Sequence, residues 1–403
     1  MEPKMRLGMI ADDLTGACDT GVKFALRGLR VVVALSPTPD SIRLPGSDLL
    51  ALSTDTRASA PETARRRIRD ACLWLERQGA ALFYKKIDSV LRGNIGAEIA
   101  AALEMSRHPF AVVAPAFPAM GRRMRGGKLY LGNSREPSAD LMERLAAQGV
   151  ADAARIGLRE IRRGGESLVS VMQRLHHERR RVLAADAETD EDLRQIAEAI
   201  AACQPSPLPA GSAGLAVAMA ERQAASDLPE EPLPETEGCA MAFIGTRHPV
   251  TKQQVSRLAE DAGRLIALDR RALSAARSAL DAGETPIFRV RWRRSEEPVV
   301  RALCALCGEY PVRGLLLSGG DTAAHICRLL GAQAILLRGE AENGTPWGRL
   351  IGGEAAGLAV CAKSGGFGEP ETLRRAAAFL RRQVSPPPDA GVSSSTRERS
   401  DNL

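Results

Sequence analysis

Leu315-Leu316-Leu317-Ser318-Gly319-Gly320-Asp321-Thr322 and Val360-Cys361-Ala362-Lys363-Ser364-Gly365-Gly366-Phe367-Gly368 are the two stretches that decide the fold. In each, a short apolar run breaks into paired glycines and a helix-like segment follows. Strand, glycine turn and helix together aim backbone N–H groups and the positive end of a helix at an anion. Two such turns point to a nucleotide held by its phosphates. Ser318, Gly319, Gly320, Asp321, Thr322, Lys363, Ser364, Gly365 and Gly366 are therefore candidate nucleotide contacts. Ile244-Gly245-Thr246-Arg247-His248 adds a third turn of the same kind and brings in Thr246 and His248. None of the three has Walker A spacing or the dinucleotide fingerprint.

Outward from these turns, apolar runs near 241–244, 265–268, 286–291 and 314–317 alternate with helical spacings. The same alternation fills the N-terminal half. There, Leu7–Ala11, Val31–Leu35, Leu49–Ser53, Ala81–Tyr84, Phe110–Ala114 and Val182–Ala185 read as strands. This pattern predicts an α/β protein with mostly parallel sheets covered by helices, whose ligands lie beyond the strand carboxyl ends. A chain of 403 residues exceeds what one core usually holds. We expect two domains, 1–226 and 238–384, with the active site in the cleft between them. Residues 227–237, acidic and carrying Pro229, Pro232 and Pro234, read as a linker. Residues 385–403, rich in proline, serine and charge, read as a disordered tail.

A different constellation ends the N-terminal strands. Asp12 and Asp13 follow the first, Arg57 follows the third, and Lys85-Lys86-Ile87-Asp88 closes the fourth, with Arg92 and Asn94 just beyond. Neighbours on extended backbone point opposite ways, so one of Asp12 and Asp13 faces a pocket while the other caps or orients. Lysines at the end of a buried strand need a partner, and Asp88 is at hand. Arg57 and Arg92 can clamp a carboxylate bidentately. Cationic groups for a carboxylate and carboxylates for hydroxyls suit a small hydroxy acid. The glycine- and arginine-rich stretch 119–133 reads as a substrate-contacting loop and includes Gly121 and Arg122.

Composition removes several classes. Aromatic residues make up 3%, too few for the stacking platforms of single-stranded nucleic-acid binders. The net charge of +6 comes from arginines spread along helical stretches, as solvated faces rather than a nucleic-acid patch. Eight cysteines show no metal spacing and read as buried thiols. No run is long enough to span a membrane, and Leu7–Ala11 is too short for a signal sequence. A cytoplasmic protein is expected, acting on a small anionic substrate without nucleic-acid or membrane partners, and a homodimer is compatible with the chain.

The ordered motifs resemble the four-carbon acid sugar kinase family, once described only as a domain of unknown function. Met9-Ile10-Ala11-Asp12-Asp13-Leu14-Thr15-Gly16-Ala17 looks like its first signature and the stretch from Lys85 to Gly96 like its second. Ala114-Pro115-Ala116-Phe117-Pro118 with Gly121-Arg122, then Gly211-Ser212-Ala213-Gly214-Leu215-Ala216, follow in order, and the three glycine turns complete the set. The resemblance covers residues 7 to 382. It implies an N-terminal acid-sugar domain, a C-terminal ATP domain and Mg²⁺-dependent phosphorylation of threonate, erythronate or 3-oxo-tetronate at the terminal hydroxyl. Asp12, Asp13 and Asp88 are then the candidate catalytic groups, and Arg57, Lys86, Arg92, Asn94, Gly121 and Arg122 the substrate contacts. D-threonate or D-erythronate is the favoured substrate, with 3-oxo-tetronate next. Closure across the linker would exclude water from the reaction. The chain departs from the family pattern at Arg123–Leu129, where a threonine and a histidine are usual. A non-catalytic acid-sugar or nucleotide sensor is the alternative reading. An NAD-linked hydroxy-acid dehydrogenase is disfavoured, since no dinucleotide fingerprint follows any strand.

Overall fold

A computed structural model describes residues 6–37, 44, 46–223, 238–261 and 263–382. The expected linker 227–237 and tail 385–403 lie outside the described residues. The N-terminal half contributes strands β1 (Arg6–Ala11), β2 (Val31–Ala34), β3 (Leu49–Ser53), β4 (Ala80–Lys86), β5 (Ala111–Ala114), β6 (Arg122–Arg125), β7 (Lys128–Leu131), β8 (Ala139–Asp140), β9 (Ala154–Ile156), β10 (Val182–Ala185) and β11 (Leu208–Gly211). The C-terminal half contributes β12 (Cys239–Ile244), β13 (Gly263–Ile266), β14 (Thr285–Arg289), β15 (Val312–Ser318), β16 (Ala334–Glu342), β17 (Thr345–Ile351) and β18 (Ala359–Lys363).

The apolar runs form strands because helices cover both faces. β2, β3 and β5 are buried at every position, as sheets closed in on both sides require. In the N-terminal sheet the order β2-β3-β1-β4-β11-β5-β10-β9 is parallel throughout. The C-terminal sheet runs β13-β14-β12-β15-β18 in parallel, but β17 and β16 then continue it antiparallel. A mostly parallel sheet was expected in both domains, so the second is corrected to a mixed one. The 334–351 hairpin departs from that expectation, because β16 is only partly buried and the two strands carry charges such as Arg338, Glu340 and Arg349.

β16 also pairs antiparallel with β2, matching Ala334 with Ala34, Ile335 with Val33 and Leu336 with Val32. The two sheets thereby become one of 15 strands among the described residues. The 119–133 stretch, expected as a loop, is a β6–β7 hairpin whose turn residues Gly126 and Gly127 both take positive φ. Glycine accepts that conformation without strain, and two-residue hairpin turns favour it.

Register places the site. Ser53, Ala11 and Lys86 are matched across β3, β1 and β4, and Lys86, Gly211 and Ala114 across β4, β11 and β5. Ile244, Ser318 and Lys363 are matched across β12, β15 and β18. Each row ends its strands at one level, so the segments that leave them crowd together at the carboxyl edge.

Candidate active site

The two rows of strand ends open onto a shared cleft of about 370 Å³. A larger cavity of about 630 Å³ involves C-terminal residues alone, including Cys304, Cys307, Val312 and Leu358. It lies at the amino ends of β15 and β18, opposite the edge where parallel sheets bind ligands. Position, rather than size, selects the cleft.

On the N-terminal wall, Arg57 is the hub. Its Nε and Nη2 donate to the Asp12 carboxylate at 2.7 and 2.8 Å, and its Nη1 and Nη2 donate to Asp13 at 2.6 and 2.9 Å. Asp13 also caps helix α1 (Leu14–Ala25), accepting from Gly16 N at 2.8 Å and from Thr15 Oγ1 at 2.8 Å. Asp88 accepts from Arg92 Nε at 2.8 Å, Arg92 Nη2 at 2.7 Å and Arg92 N at 3.0 Å. Burial works against the charged forms of Asp12 and Asp88, yet Arg57 at the first and Arg92 with Arg57 at the second hold both below the usual carboxylate range. Burial likewise opposes the Arg57 charge, which Asp13 and Asp12 more than restore.

Lys85 and Lys86 point to opposite sides of β4. Lys86 lines the cleft and donates to Ile87 O at 2.6 Å. Lys85 turns away and pairs with Glu98 at 2.7 Å, the two side chains being 1% and 2% exposed. The expectation that Asp88 answers these lysines is corrected. Arg92 holds Asp88, and Glu98 from helix Ile95–Met105 neutralises Lys85.

The C-terminal wall is backbone. Gly319 sits at φ 105, a conformation that disfavours any other residue. Gly320 begins helix Gly320–Leu329, and a Cβ there would stand 2.5 Å from Asp13 Oδ2 on the opposite wall. A Cβ on Gly365 would collide with Thr246 Oγ1, and one on Gly245 with Thr322 Oγ1. Thr251 Oγ1 donates to Gly365 O at 2.7 Å and ties the turn down. Burial, then the charges of Asp55 and Asp13, raise the Asp321 carboxyl. The Lys363 amine is buried and pushed down to about 7 by desolvation, and it donates to Ser364 O at 2.8 Å. Across the cleft, Phe117 meets Phe367 edge-on at 6.5 Å and the Arg122 guanidinium lies over the Phe367 ring at 5.1 Å.

Of the residues singled out from sequence, Asp13, Arg57, Lys86, Asp88, Arg92 and Arg122 line the N-terminal side. Thr246, His248, Gly319, Gly320, Asp321, Thr322, Ser364, Gly365 and Gly366 line the other. Five do not line it. Asp12 stands behind Arg57, and Asn94 donates to Thr56 O and Ser59 O, holding the Arg57 loop from outside. Gly121 supports the β6–β7 hairpin at φ 70, while Ser318 and Lys363 are buried strand ends beneath the cradle. Sequence reasoning missed Asp19 and Trp292, which also line the cleft. A charge on the buried face of α1, four residues after Thr15, was the available signal for Asp19. Trp292 had none.

Residues 7–219 match the family model described as a sugar-binding N-terminal domain, and residues 289–373 match the one described as a nucleotide-binding C-terminal domain. A sugar site facing a nucleotide site is the layout of a sugar kinase. The D-threonate kinase of Cupriavidus necator is 33% identical, over 91% of this chain and 95% of that one. The D-threonate kinase of Salmonella typhimurium is 31% identical, over 92% and 97%. A solved Salmonella typhimurium structure, described as a tRNA synthase, superposes with TM-score 0.76 at 24% identity, covering 92% of this chain and 98% of that one, and shows the shared fold. The chain belongs to the four-carbon acid sugar kinase family, and with it to the ATP-dependent phosphotransferases. No helix among the described residues is long and apolar enough to cross a membrane.

Proposed function

We propose that this protein transfers the γ-phosphoryl group of ATP to the terminal hydroxyl of a four-carbon sugar acid in the cleft between an acid-sugar domain, 1–226, and an ATP domain, 238–384. The observation that carries the reading is the approach of the Gly320 turn to Asp13. It brings a glycine-rich turn, read as a phosphate cradle, against a wall of cationic and anionic side chains, across a cleft of about 370 Å³.

The cradle suits ATP on its own geometry. Gly320, Gly365 and Gly366 leave backbone N–H groups uncovered by Cβ atoms, Gly319 N donates to Lys363 O at 3.0 Å and fixes the turn, and helix Gly320–Leu329 presents its N-terminus there. Lys363 lies beneath, and a phosphate overhead supplies the counter-charge that burial denies it. Mg²⁺ would enter on the nucleotide phosphates, with Asp321 the carboxylate at the cradle that stays open to it, and would neutralise charge on the transferred group. On the other wall Lys86, Arg92 and Arg122 bind the acid, and Asp12, Asp13 and Asp88 fix the guanidinium groups in place. Phosphoryl transfer needs little covalent help from a protein, so placement is most of the catalysis.

D-threonate or D-erythronate is the proposed substrate, and the names of the two D-threonate kinases described above support the first. A coupled ADP-release screen over the threonate and erythronate enantiomers and the 3-oxo acids tests it. Highest kcat/KM is expected with a D-aldonate. Turnover only with a six-carbon acid or an uncharged sugar refutes the class.

A further inference from the structure

Four carboxylates line the cleft, and three are already committed or exposed. Asp13 accepts four hydrogen bonds, which fills the acceptor capacity of a carboxylate. Asp88 accepts three from Arg92. Asp321 is exposed at the rim. Asp19 differs from all of them. It is 5% exposed, it lines the cleft, and its Oδ1 is buried with no hydrogen-bond partner. An orphaned carboxylate oxygen is costly inside a protein, and such an atom at a cleft calls for a donor that the ligand brings.

We infer that Asp19 is the catalytic base, taking up the proton of the hydroxyl that is phosphorylated; this rests on the kinase reading above. Thr15, Gly16 and Asp19 occupy one face of α1 and all three line the cleft, so the helix that Asp13 caps presents Asp19 to the same space. In the step, the substrate hydroxyl oxygen bonds to the γ-phosphorus of ATP while the bond from that phosphorus to the β,γ-bridging oxygen breaks. ADP leaves with the electron pair, and the hydroxyl proton passes to the Asp19 carboxylate and then to solvent.

The groups around Asp19 set when it can act. Lys23 and Asp13 face it from its own helix and cap, Lys86 and Tyr84 from β4, Glu340 from β16, and Arg122 from β6. The buried Cys18 thiol adjoins it. Burial raises the Asp19 carboxyl to about 6, partly offset by Lys23 and Lys86. It is thus ionised at neutral pH and close in basicity to the working pH, as a general base should be.

The test measures kcat and kcat/KM of the full chain from about pH 5 to 9, for wild type, Asp19→Asn and Asp19→Glu, with ATP and sugar-acid affinities by calorimetry. Wild type should lose about tenfold in rate per pH unit below about 6. Asp19→Asn should lower kcat about 100-fold or more at pH 8, abolish the acidic limb and bind both ligands within about threefold. Asp19→Glu should regain part of the rate with a shifted limb. A wild-type profile flat down to pH 5 overturns the assignment whatever the variants do. So does an Asn variant that keeps the limb, or one within about fivefold of wild type. Absence of wild-type turnover on every four-carbon acid overturns the kinase reading itself, and the base with it.

Discussion

On the N-terminal wall of the cleft, Arg57 alone donates four hydrogen bonds to two aspartates, and Arg92 grips a third. On the C-terminal wall the strands end in glycines, and the lysine beneath them is buried and short of a counter-charge. The first wall is made of charge held in place by charge. In the proposed reading such a surface selects the hydroxyls and carboxylate of a small acid, where each misplaced group leaves a buried ion unpaired. The second is made of backbone, which grips phosphates by shape and N–H direction and is sensitive to a single methyl group. Damage to one wall should therefore follow charge, and damage to the other should follow volume.

The sharpest way to break this contrast is to remove the hub. Arg57→Gln keeps much of the side-chain bulk but leaves Asp12 and Asp13, both buried, without their guanidinium. Loss of one member of a buried ion cluster costs about 3–5 kcal/mol. Denaturant unfolding should show a loss of that size, while Arg66→Gln, exposed on the helix that follows the Arg57 loop, should change little. Equal small losses at both positions would show that the cluster is not a unit. Next in size are Asp13→Asn and Asp88→Asn, which keep shape and remove charge. Each should lower kcat about 100-fold or more while ATP affinity stays within about threefold. Loss of ATP binding in either would erase the division between the walls.

Much of this arrangement is legible in the chain. Apolar runs broken by glycine pairs announce strand ends, and polar residues stranded at those ends announce a site, so most candidates reach the cleft. What the sequence hides is pairing at a distance. Lys85 and Lys86 are neighbours in sequence, yet one faces the cleft and the other meets Glu98, because strand alternation is fixed by a sheet that local reading does not contain. The 334–351 hairpin escapes for a related reason. Its charged positions conceal strand character until β2 supplies an edge to pair with. That pairing also revises the idea of free closure about a linker. Domain motion would have to break the β2–β16 ladder and the Lys23–Glu340 ion pair at 2.7 Å.

The backbone wall is tested by volume. Gly320→Val places a branched side chain against Asp13, and Gly365→Val drives one into Thr246. Either should weaken ATP binding about 100-fold and leave the sugar acid within about tenfold, read by titrating each ligand separately. Gly320→Ala is the finer probe, since its single methyl group already reaches Asp13 Oδ2. If it weakened the sugar acid as much as ATP, the two walls would be one site rather than two surfaces in contact.

The smallest expected effect sets Asp19 against its neighbours on the same wall. Asp12 and Asp88 are held below the usual carboxylate range, so the stability they add is present above about pH 4 and is lost as pH falls through their lowered folded values. Asp19 has the opposite sign. Burial raises it to about 6, so the folded protein keeps this proton longer than the unfolded chain does. Its favourable contribution is complete below about pH 4 and drains away between about pH 4 and 6. Asn has no proton to lose there. Asp19→Asn should therefore be about 1 kcal/mol less stable than wild type near pH 4, where its amide lacks a full set of partners, and become the more stable protein by pH 7. The gain should be about 1–2 kcal/mol, or several degrees in Tm, because the amide also lacks a full set of partners. Thermal scans of the two proteins across this range check it. A pH-independent difference would mean that Asp19 carries the same charge folded and unfolded, and that its orphaned oxygen is satisfied in solution without substrate.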